Sequence, residues 1–167
     1  RFPIPYCQSY PFVESPLAQT MTTTRHAEIA GAGFAGLVAG IALAQRGWSV
    51  RVHEKDGELR AFGAGIFIWE NGLRVLKAIG AYDAVMHGAH EAIVHETRHD
   101  NRIIARVAFT HEFGSRMITM TRQHLYDAIL GQAARSGVEI VTASEAIGAI
   151  PDGALLTADG RSHRADL

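Results

Sequence analysis

The chain has 167 residues, of which 47% are hydrophobic, and a formal net charge of −1 at pH 7. This length suits one domain with a hydrophobic core, and the near-neutral charge argues against a basic surface for nucleic acid. No apolar run reaches about 18 residues without a charge or a glycine, so the sequence predicts no membrane span. The single cysteine, Cys7, excludes a disulfide within the chain and favours a reducing, cytoplasmic compartment.

Residues 1–20 differ in composition from the rest of the chain. They begin with Arg1 rather than methionine, contain four of the five prolines and show neither a helical nor a strand period. They also lack the cationic start and apolar centre of a signal peptide. We expect Met21 to be the natural first residue and residues 1–20 to be a disordered N-terminal extension or an artefact. A functional tail is the alternative.

The segment from Ala27 to Glu54 is typical of a strand, a glycine turn, a helix and a second strand that ends on an acid. Gly31, Gly33 and Gly36 form a G-x-G-x-x-G between strand and helix, which is the context of the dinucleotide fingerprint. There the first glycine permits the turn, the second admits a pyrophosphate, and the third lets helix and strand pack closely. Glu54 follows near the spacing of about 20 residues expected for the acid that binds the ribose. The alternative is that these glycines serve packing only and that Glu54 is a solvated turn residue.

The residues after Glu54 depart from a plain nicotinamide-binding unit. A turn at 55–58 leads to a second glycine cluster at 63–65 and an apolar run at 66–69. Asn71 is then a favourable N-cap for a helix that closes at Gly80. The apolar face of this helix is formed by Leu73, Leu76 and Ile79.

The second half of the chain predicts a hairpin, a crossover and a small meander. Residues 93–98 and 102–109 flank the turn-forming His99-Asp100-Asn101, and a short strand at 117–121 leads into a helix from Arg122. That helix is expected to place Leu125, Ile129, Ala133 and Ala134 on one face and to end near Gly137. A strand at 138–141 would return to the first sheet, and strands at 146–150, 154–157 and 162–165 would form the meander. The histidines of this region are spaced too irregularly for a metal site, so no metal is predicted: His87, His90, His95, His99 and His111.

Three blocks of the sequence together resemble one enzyme family. They are GAGFAGLVAGIALAQRGWSVRVHEK, LRAFGAGIFIWENGLRVLKAIG and MTRQHLYDAIL. The chain resembles the FAD-dependent aromatic hydroxylases, the para-hydroxybenzoate hydroxylase-like flavoprotein monooxygenases, from about residue 25 to residue 167. The resemblance implies an α/β fold with a Rossmann-like FAD-binding domain at 21–167. The strands at about 91–121 would begin a β-rich substrate domain.

The resemblance also implies which residues bind the cofactor. The glycine turn would hold the pyrophosphate of FAD, Glu54 would bind the adenosine ribose, and Lys55 and Ala146 would lie near the adenine. Arg60, Gly65 and Ile66 would lie by the flavin, and Arg122 would contact the pyrophosphate and ribitol; the alternative for each arginine is a surface charge. Some relatives carry a histidine where Phe67 stands, so no catalytic residue is predicted. The expected cofactor-binding residues are Gly31, Ala32, Gly33, Phe34, Ala35, Gly36, Glu54, Lys55, Arg60, Gly65, Ile66, Arg122 and Ala146.

The implied function is hydroxylation of a small aromatic compound by an FAD-dependent monooxygenase that uses NAD(P)H and O₂. The alternatives are an NAD-dependent oxidoreductase, another flavin enzyme such as a halogenase or a reductase, or an inactive remnant. Because the family's later G-A-D-G-x-x-S and G-D segments are not in the sequence, we expect an N-terminal fragment, inactive as an isolated chain. The expected partners are the aromatic substrate and a second copy in a homodimer, with no nucleic acid or membrane.

Overall fold

The computed structural model describes residues 24–109 and 116–167. The predictions for residues 1–20, Met21 and His111 therefore lie outside the described residues. The strands are β1 (His26–Ala30), β2 (Ser49–His53), β3 (Gly65–Trp69), β4 (His90–Ala92), β5 (Val94–His99), β6 (Arg102–Ala108), β7 (Met117–Thr121), β8 (Glu139–Val141), β9 (Ala146–Ile150), β10 (Ala154–Thr157) and β11 (Ser162–Arg164). The helices are α1 (Phe34–Ala44), α2 (Glu70–Ile79), α3 (Tyr82–His87) and α4 (Arg122–Arg135).

A parallel sheet in the order β1-β2-β8 underlies the part of the molecule that carries the glycine turn. The predicted strand–turn–helix–strand unit is confirmed, because β1 and β2 pair in parallel across α1, with Ile29 opposite Val52. β8 adds to β2 in parallel after α4, which confirms the predicted crossover, although it begins at Glu139 rather than at residue 138. A β-carbon at Gly40 would lie 3.4–3.5 Å from three valine side chains beneath α1, so a small residue lets this helix lie close to the sheet.

The chain then leaves this sheet and builds an antiparallel one in the order β3-β7-β4. This course confirms that no third parallel strand follows directly after β2. The predicted N-cap at Asn71 is wrong: β3 runs straight into α2, whose N-cap is Trp69 and whose first residue is Glu70. The acid in the first turn is favourable at the positive end of the helix. The predicted apolar face and the closing Gly80 in the left-handed conformation (φ 79°) are both confirmed.

The predicted hairpin is confirmed as β5 and β6, but its turn is shorter than expected. His99 pairs with Arg102, which leaves Asp100 and Asn101 alone in the turn, with φ of 46° and 61°. This left-handed pair matches the right-handed twist of the two strands. The meander β9-β10-β11 is also confirmed.

The core lies where α1, α2 and α4 meet the two sheets, and its centre includes Leu37, Ile41, Leu73 and Ile118. In α4 the expected apolar face holds at Leu125, Ile129 and Ala133, whereas Ala134 is exposed and was wrongly included. No helix of residues 24–109 and 116–167 is both long and apolar enough to cross a membrane.

Candidate cofactor site

The turn between β1 and α1 needs each of its three glycines for a different reason. Gly31 adopts φ 91°, and its N–H donates to the His53 carbonyl over 2.7 Å, which holds the turn against β2. A β-carbon at Gly36 would lie 2.0 Å from the Gly31 carbonyl oxygen, so no side chain fits there. Among residues 24–109 and 116–167, no atom would lie within 4 Å of a β-carbon at Gly33. Gly36 therefore serves packing, and Gly33 borders open space at the start of α1.

Between these glycines the residue Ala32 is held on both sides. Its N–H donates to Glu54 Oε2 over 2.9 Å, and its carbonyl accepts a hydrogen bond of 2.9 Å from the Tyr126 hydroxyl. Glu54 Oε1 also accepts from the N–H of Asp56 at 3.1 Å, which fixes the carboxylate itself. The acid that directly follows β2 thus supports the glycine turn. Sequence reasoning found Glu54 and missed Tyr126, since nothing local in α4 indicates a partner in residue 32.

Tyr126 is suited to act as a donor because it is buried and neutral. Burial raises the pKa of its hydroxyl, and the negative charges of Glu54 and Asp127 raise that pKa further. The hydroxyl therefore stays protonated at neutral pH and keeps donating to Ala32. Its ring meets the Phe34 ring edge to face, with centroids 5.9 Å apart, so the Phe34 side chain packs inward while its main chain begins α1.

A cleft of about 230 Å³ opens beside the turn. It brings together Glu54, Lys55 and Ala146, which the resemblance assigned to the adenosine end of the cofactor. It also contains Glu145, to which the resemblance assigned no role. The lining residues are Ala30, Gly31, His53, Glu54, Lys55, Glu145 and Ala146.

Arg122 lies at the start of α4 and turns toward the start of α1. Its guanidinium carbon lies 5.3 Å from the centroid of the Phe34 ring. A β-carbon at Gly63, where φ is 95°, would lie 2.9 Å from Arg122 Cδ, so the second glycine cluster makes room for this side chain. Within the described ranges, Arg122 Nε is a buried polar atom with no hydrogen-bond partner. Such groups are rare, and each calls for a specific explanation.

The other predicted flavin-side residues lie apart from this turn. Gly65 and Ile66 line a second cleft of about 530 Å³, together with Phe67, Gly88, His90, Thr119, Met120 and Thr121. The Arg60 side chain is 59% exposed, 4.0 Å from Glu58 and stacked over Phe62. Arg60 lines neither of these two clefts.

A buried ionic group that the sequence analysis did not select lies under the glycine turn. Glu28 Oε2 lies 2.6 Å from His53 Nε2, and the His53 ring lies 4.6 Å from the ring of His163. One ligand-type atom from each of these three residues lies within 4.8 Å of the others. The other oxygen of Glu28 and the other nitrogen of His53 also have protein partners, because Glu28 Oε1 accepts from His26 at 2.8 Å and His53 Nδ1 lies 2.8 Å from Ser144 Oγ. Hydrogen bonds thus join β1 to β2, and a ring contact between His53 and His163 adds β11 to the group.

The charge of Glu28 is stabilised by its neighbours. Burial by itself would raise the pKa of this carboxyl, but hydrogen bonds from His26 and His53 and the positive charge of Arg51 outweigh burial. The net effect is a pKa below the ordinary 4.5. Glu28 is therefore ionised in the folded protein at neutral pH.

Residues 24–166 match the family model described as the FAD binding domain. The chain belongs to this family. The sequence-based resemblance to the FAD-dependent aromatic hydroxylases and the expected α/β fold are both confirmed by this match and by the relatives below. A group of solved structures of 2-methyl-3-hydroxypyridine-5-carboxylic acid oxygenase shares 50% identity with this FAD-binding domain. The TM-score is 0.82, and the match covers 86% of this chain and 38% of the other.

Two curated relatives also match the FAD-binding domain. The 2-heptyl-3-hydroxy-4(1H)-quinolone synthase of Mycobacteroides abscessus is 43% identical over 143 residues, which is 85% of this chain and 38% of the relative. The 3-hydroxybenzoate 6-hydroxylase of Polaromonas naphthalenivorans is 31% identical over 127 residues, covering 71% of this chain and 32% of the relative. The chain thus spans 38% or less of the length of each of these three proteins.

Proposed function

We propose that the glycine turn and its cleft hold the ADP half of FAD. The observation that carries this proposal is the fixed Ala32 peptide, which Glu54 and Tyr126 hold beside the open flank of Gly33. The N-terminus of α1 follows at once, and helix N-termini bind phosphate through unpaired N–H groups and a partial positive charge. The pyrophosphate would lie against main-chain atoms of residues 31–36, with Ala32, Phe34 and Ala35 contributing only their backbone.

The adenosine would occupy the 230 Å³ cleft. Each Glu54 oxygen already accepts one backbone N–H. A carboxylate has about four lone-pair sites, so the ribose hydroxyls can still donate to it. Lys55 and Ala146 line the same cleft and would flank the adenine.

Arg122 would contact the phosphate or ribitol oxygens. Its buried Nε has no partner in the part of the chain that the structure describes, and an oxygen acceptor on the cofactor would satisfy it. Arginine suits such a contact because its planar guanidinium can donate two parallel hydrogen bonds to phosphate. The role of Arg60 beside the flavin rests on the sequence resemblance alone. Gly65 and Ile66 would border the flavin ring from the larger cleft.

For the whole protein we infer an FAD-dependent monooxygenase that hydroxylates a small aromatic compound with NAD(P)H and O₂. The support is the names of its relatives, an oxygenase of a hydroxypyridine carboxylic acid and a hydroxylase of 3-hydroxybenzoate. When bound, the flavin would supply the redox chemistry, and this chain would supply the position and orientation of the cofactor. One such oxygenase has a tetrameric form, which supports self-association; the expected homodimer stays a prediction.

Replacing Gly33 by valine tests the proposal. The new side chain would occupy the open space that the pyrophosphate needs, so Gly33→Val should abolish FAD binding in the purified protein. The measurement is a fluorescence titration of apoprotein with FAD, with the bound flavin per chain as a second readout.

Gly148→Val is the matched control. Gly148 lies in β9, and its β-carbon would make only an ordinary 3.9 Å contact with Leu156, so FAD binding should be retained. If Gly33→Val retained as much flavin as Gly148→Val, the glycine turn would not be part of the cofactor site.

A further inference from the structure

We propose that Tyr126 is a positioning residue for the cofactor pyrophosphate, because its hydroxyl fixes the orientation of the Ala32–Gly33 peptide. The inference rests on the proposed binding of FAD at this turn. Tyr126 reaches the turn from α4 across 94 positions of sequence, and its hydroxyl donates to the Ala32 carbonyl at 2.9 Å. It lies in the block at residues 120–130 that carried the resemblance, but the resemblance gave it no role.

The hydroxyl acts on Gly33 through the geometry of one peptide unit. In a planar trans peptide the carbonyl and the following N–H point in opposite directions. Since Tyr126 holds the Ala32 carbonyl toward α4, the N–H of Gly33 must point to the opposite side. A phosphate group on that side could accept a hydrogen bond from this N–H.

Without the tyrosine the peptide could rotate. Gly33 has no β-carbon and has φ −73° and ψ 179°, and glycine populates positive φ about as readily as negative φ. Reversal of the Ala32–Gly33 peptide therefore meets little steric resistance from Gly33 itself. The same residue that admits the pyrophosphate also leaves its own N–H free to turn away, and the Tyr126 hydroxyl removes this freedom.

The hydrogen bond from Ala32 to Glu54 does not replace the one from Tyr126. Glu54 holds the N–H of Ala32, which belongs to the preceding peptide, between Gly31 and Ala32. The two side chains therefore fix two successive peptides, and only Tyr126 acts on the peptide that ends in the Gly33 N–H. Because Ala32 is only 1% exposed, water has poor access to its carbonyl once the hydroxyl is removed.

Tyr126→Phe removes the hydroxyl and keeps the ring packed against Phe34. We expect the Kd for FAD and for ADP to rise by the same factor, about 3- to 10-fold, which corresponds to loss of one hydrogen bond's net contribution. Adenosine has no phosphate, so its Kd should not change. The measurement is a titration of apoprotein with each ligand, with thermal unfolding of the apoprotein alongside.

Tyr82→Phe is the matched control, since the Tyr82 hydroxyl accepts from Arg116 at 2.7 Å and lies in α3, outside the cleft. It should leave all three affinities unchanged. Unchanged FAD and ADP binding in Tyr126→Phe would overturn the inference. An equal loss for adenosine would also overturn it, because the tyrosine would then support the whole site rather than the phosphate. If the wild-type protein binds neither FAD nor ADP, the proposed function itself fails.

A second variant keeps the ring and the hydroxyl in place. Replacing Tyr126 by 3,5-difluorotyrosine lowers the pH at which the hydroxyl ionises, and a phenolate cannot donate to the Ala32 carbonyl. FAD affinity should then fall as the pH is raised through that ionisation, while the wild-type affinity stays flat over the same range. Parallel pH profiles for the two proteins would contradict the positioning role.

Discussion

Gly33 and Gly36 both lack a side chain, but for opposite reasons. The space beside Gly36 is filled by the Gly31 carbonyl, whereas the space beside Gly33 is open. Gly36 is therefore required by the packing of the protein itself. Gly33 would be required by the pyrophosphate of the proposed FAD site. This difference can be measured on the protein without its cofactor.

Gly36→Ala should lower the free energy of unfolding of the apoprotein by about 1–3 kcal/mol, because its β-carbon would overlap backbone and force α1 away from the turn. Gly33→Ala should change it far less, since its backbone is extended and its surroundings are open. Chemical denaturation of the two variants makes the comparison. A larger loss in Gly33→Ala than in Gly36→Ala would contradict these opposite roles.

At the scale of elements, three strands are tied together by the network around Glu28. The carboxylate on β1 is held by His53 on β2, and the ring of His163 on β11 packs against that histidine at an interplanar angle of 54°. Because the folded pKa of Glu28 is lowered, its ionisation stabilises the fold above the unfolded value of 4.5, and this stabilisation is lost as the pH falls through the folded pKa.

Glu28→Gln should therefore destabilise the protein at neutral pH, and the difference from wild type should shrink as the pH falls below 4.5. Thermal unfolding of both proteins across that pH range gives the measurement. Glu139→Gln is the control, because Glu139 is largely exposed and pairs with the same Arg51. A difference that does not depend on pH would remove the charge of Glu28 as its cause.

The elements were largely predictable and the contacts between them were not. Glycines and apolar spacing located α1, α2 and α4, and the turn-forming residues 99–101 located the hairpin, because these signals act within a few residues. The N-cap at Asn71 failed since β3 continues directly into α2, a choice made by strand pairing with β7 rather than by capping preference. Glu28, His53 and Tyr126 were missed as a set because their partners lie 25 to 94 positions away.

At the scale of the whole molecule, α4 connects the two sheets and carries two of the site's groups. Its first residue, Arg122, follows β7 of the antiparallel sheet and reaches Phe34, while Tyr126 reaches the turn of the parallel sheet. The site is thus assembled between layers rather than within one. Arg122 Nε has no partner among residues 24–109 and 116–167, and a buried donor in that state costs stability.

Arg122→Leu should leave the apoprotein as stable as wild type or more stable, because it removes a buried donor that has no partner in the described part of the chain. The same variant should weaken FAD binding about 10- to 100-fold, as expected for loss of a hydrogen bond to a charged group. Thermal unfolding without FAD and titration with FAD separate the two effects. A variant that loses stability but keeps its FAD affinity would assign Arg122 to the fold alone.

The span of the Tyr126–Ala32 hydrogen bond also bears on when the site forms as the chain is made. The glycine motif and Glu54 are complete once residue 54 has been added, but Tyr126 lies 94 positions after Ala32. Contacts between residues so far apart form late, because the loop between them must close first. A nascent chain that has emerged only through β2 contains the glycine motif but lacks the hydrogen bond from Tyr126 to Ala32. For the proposed site, full capture of FAD would then wait until α4 has emerged and docked.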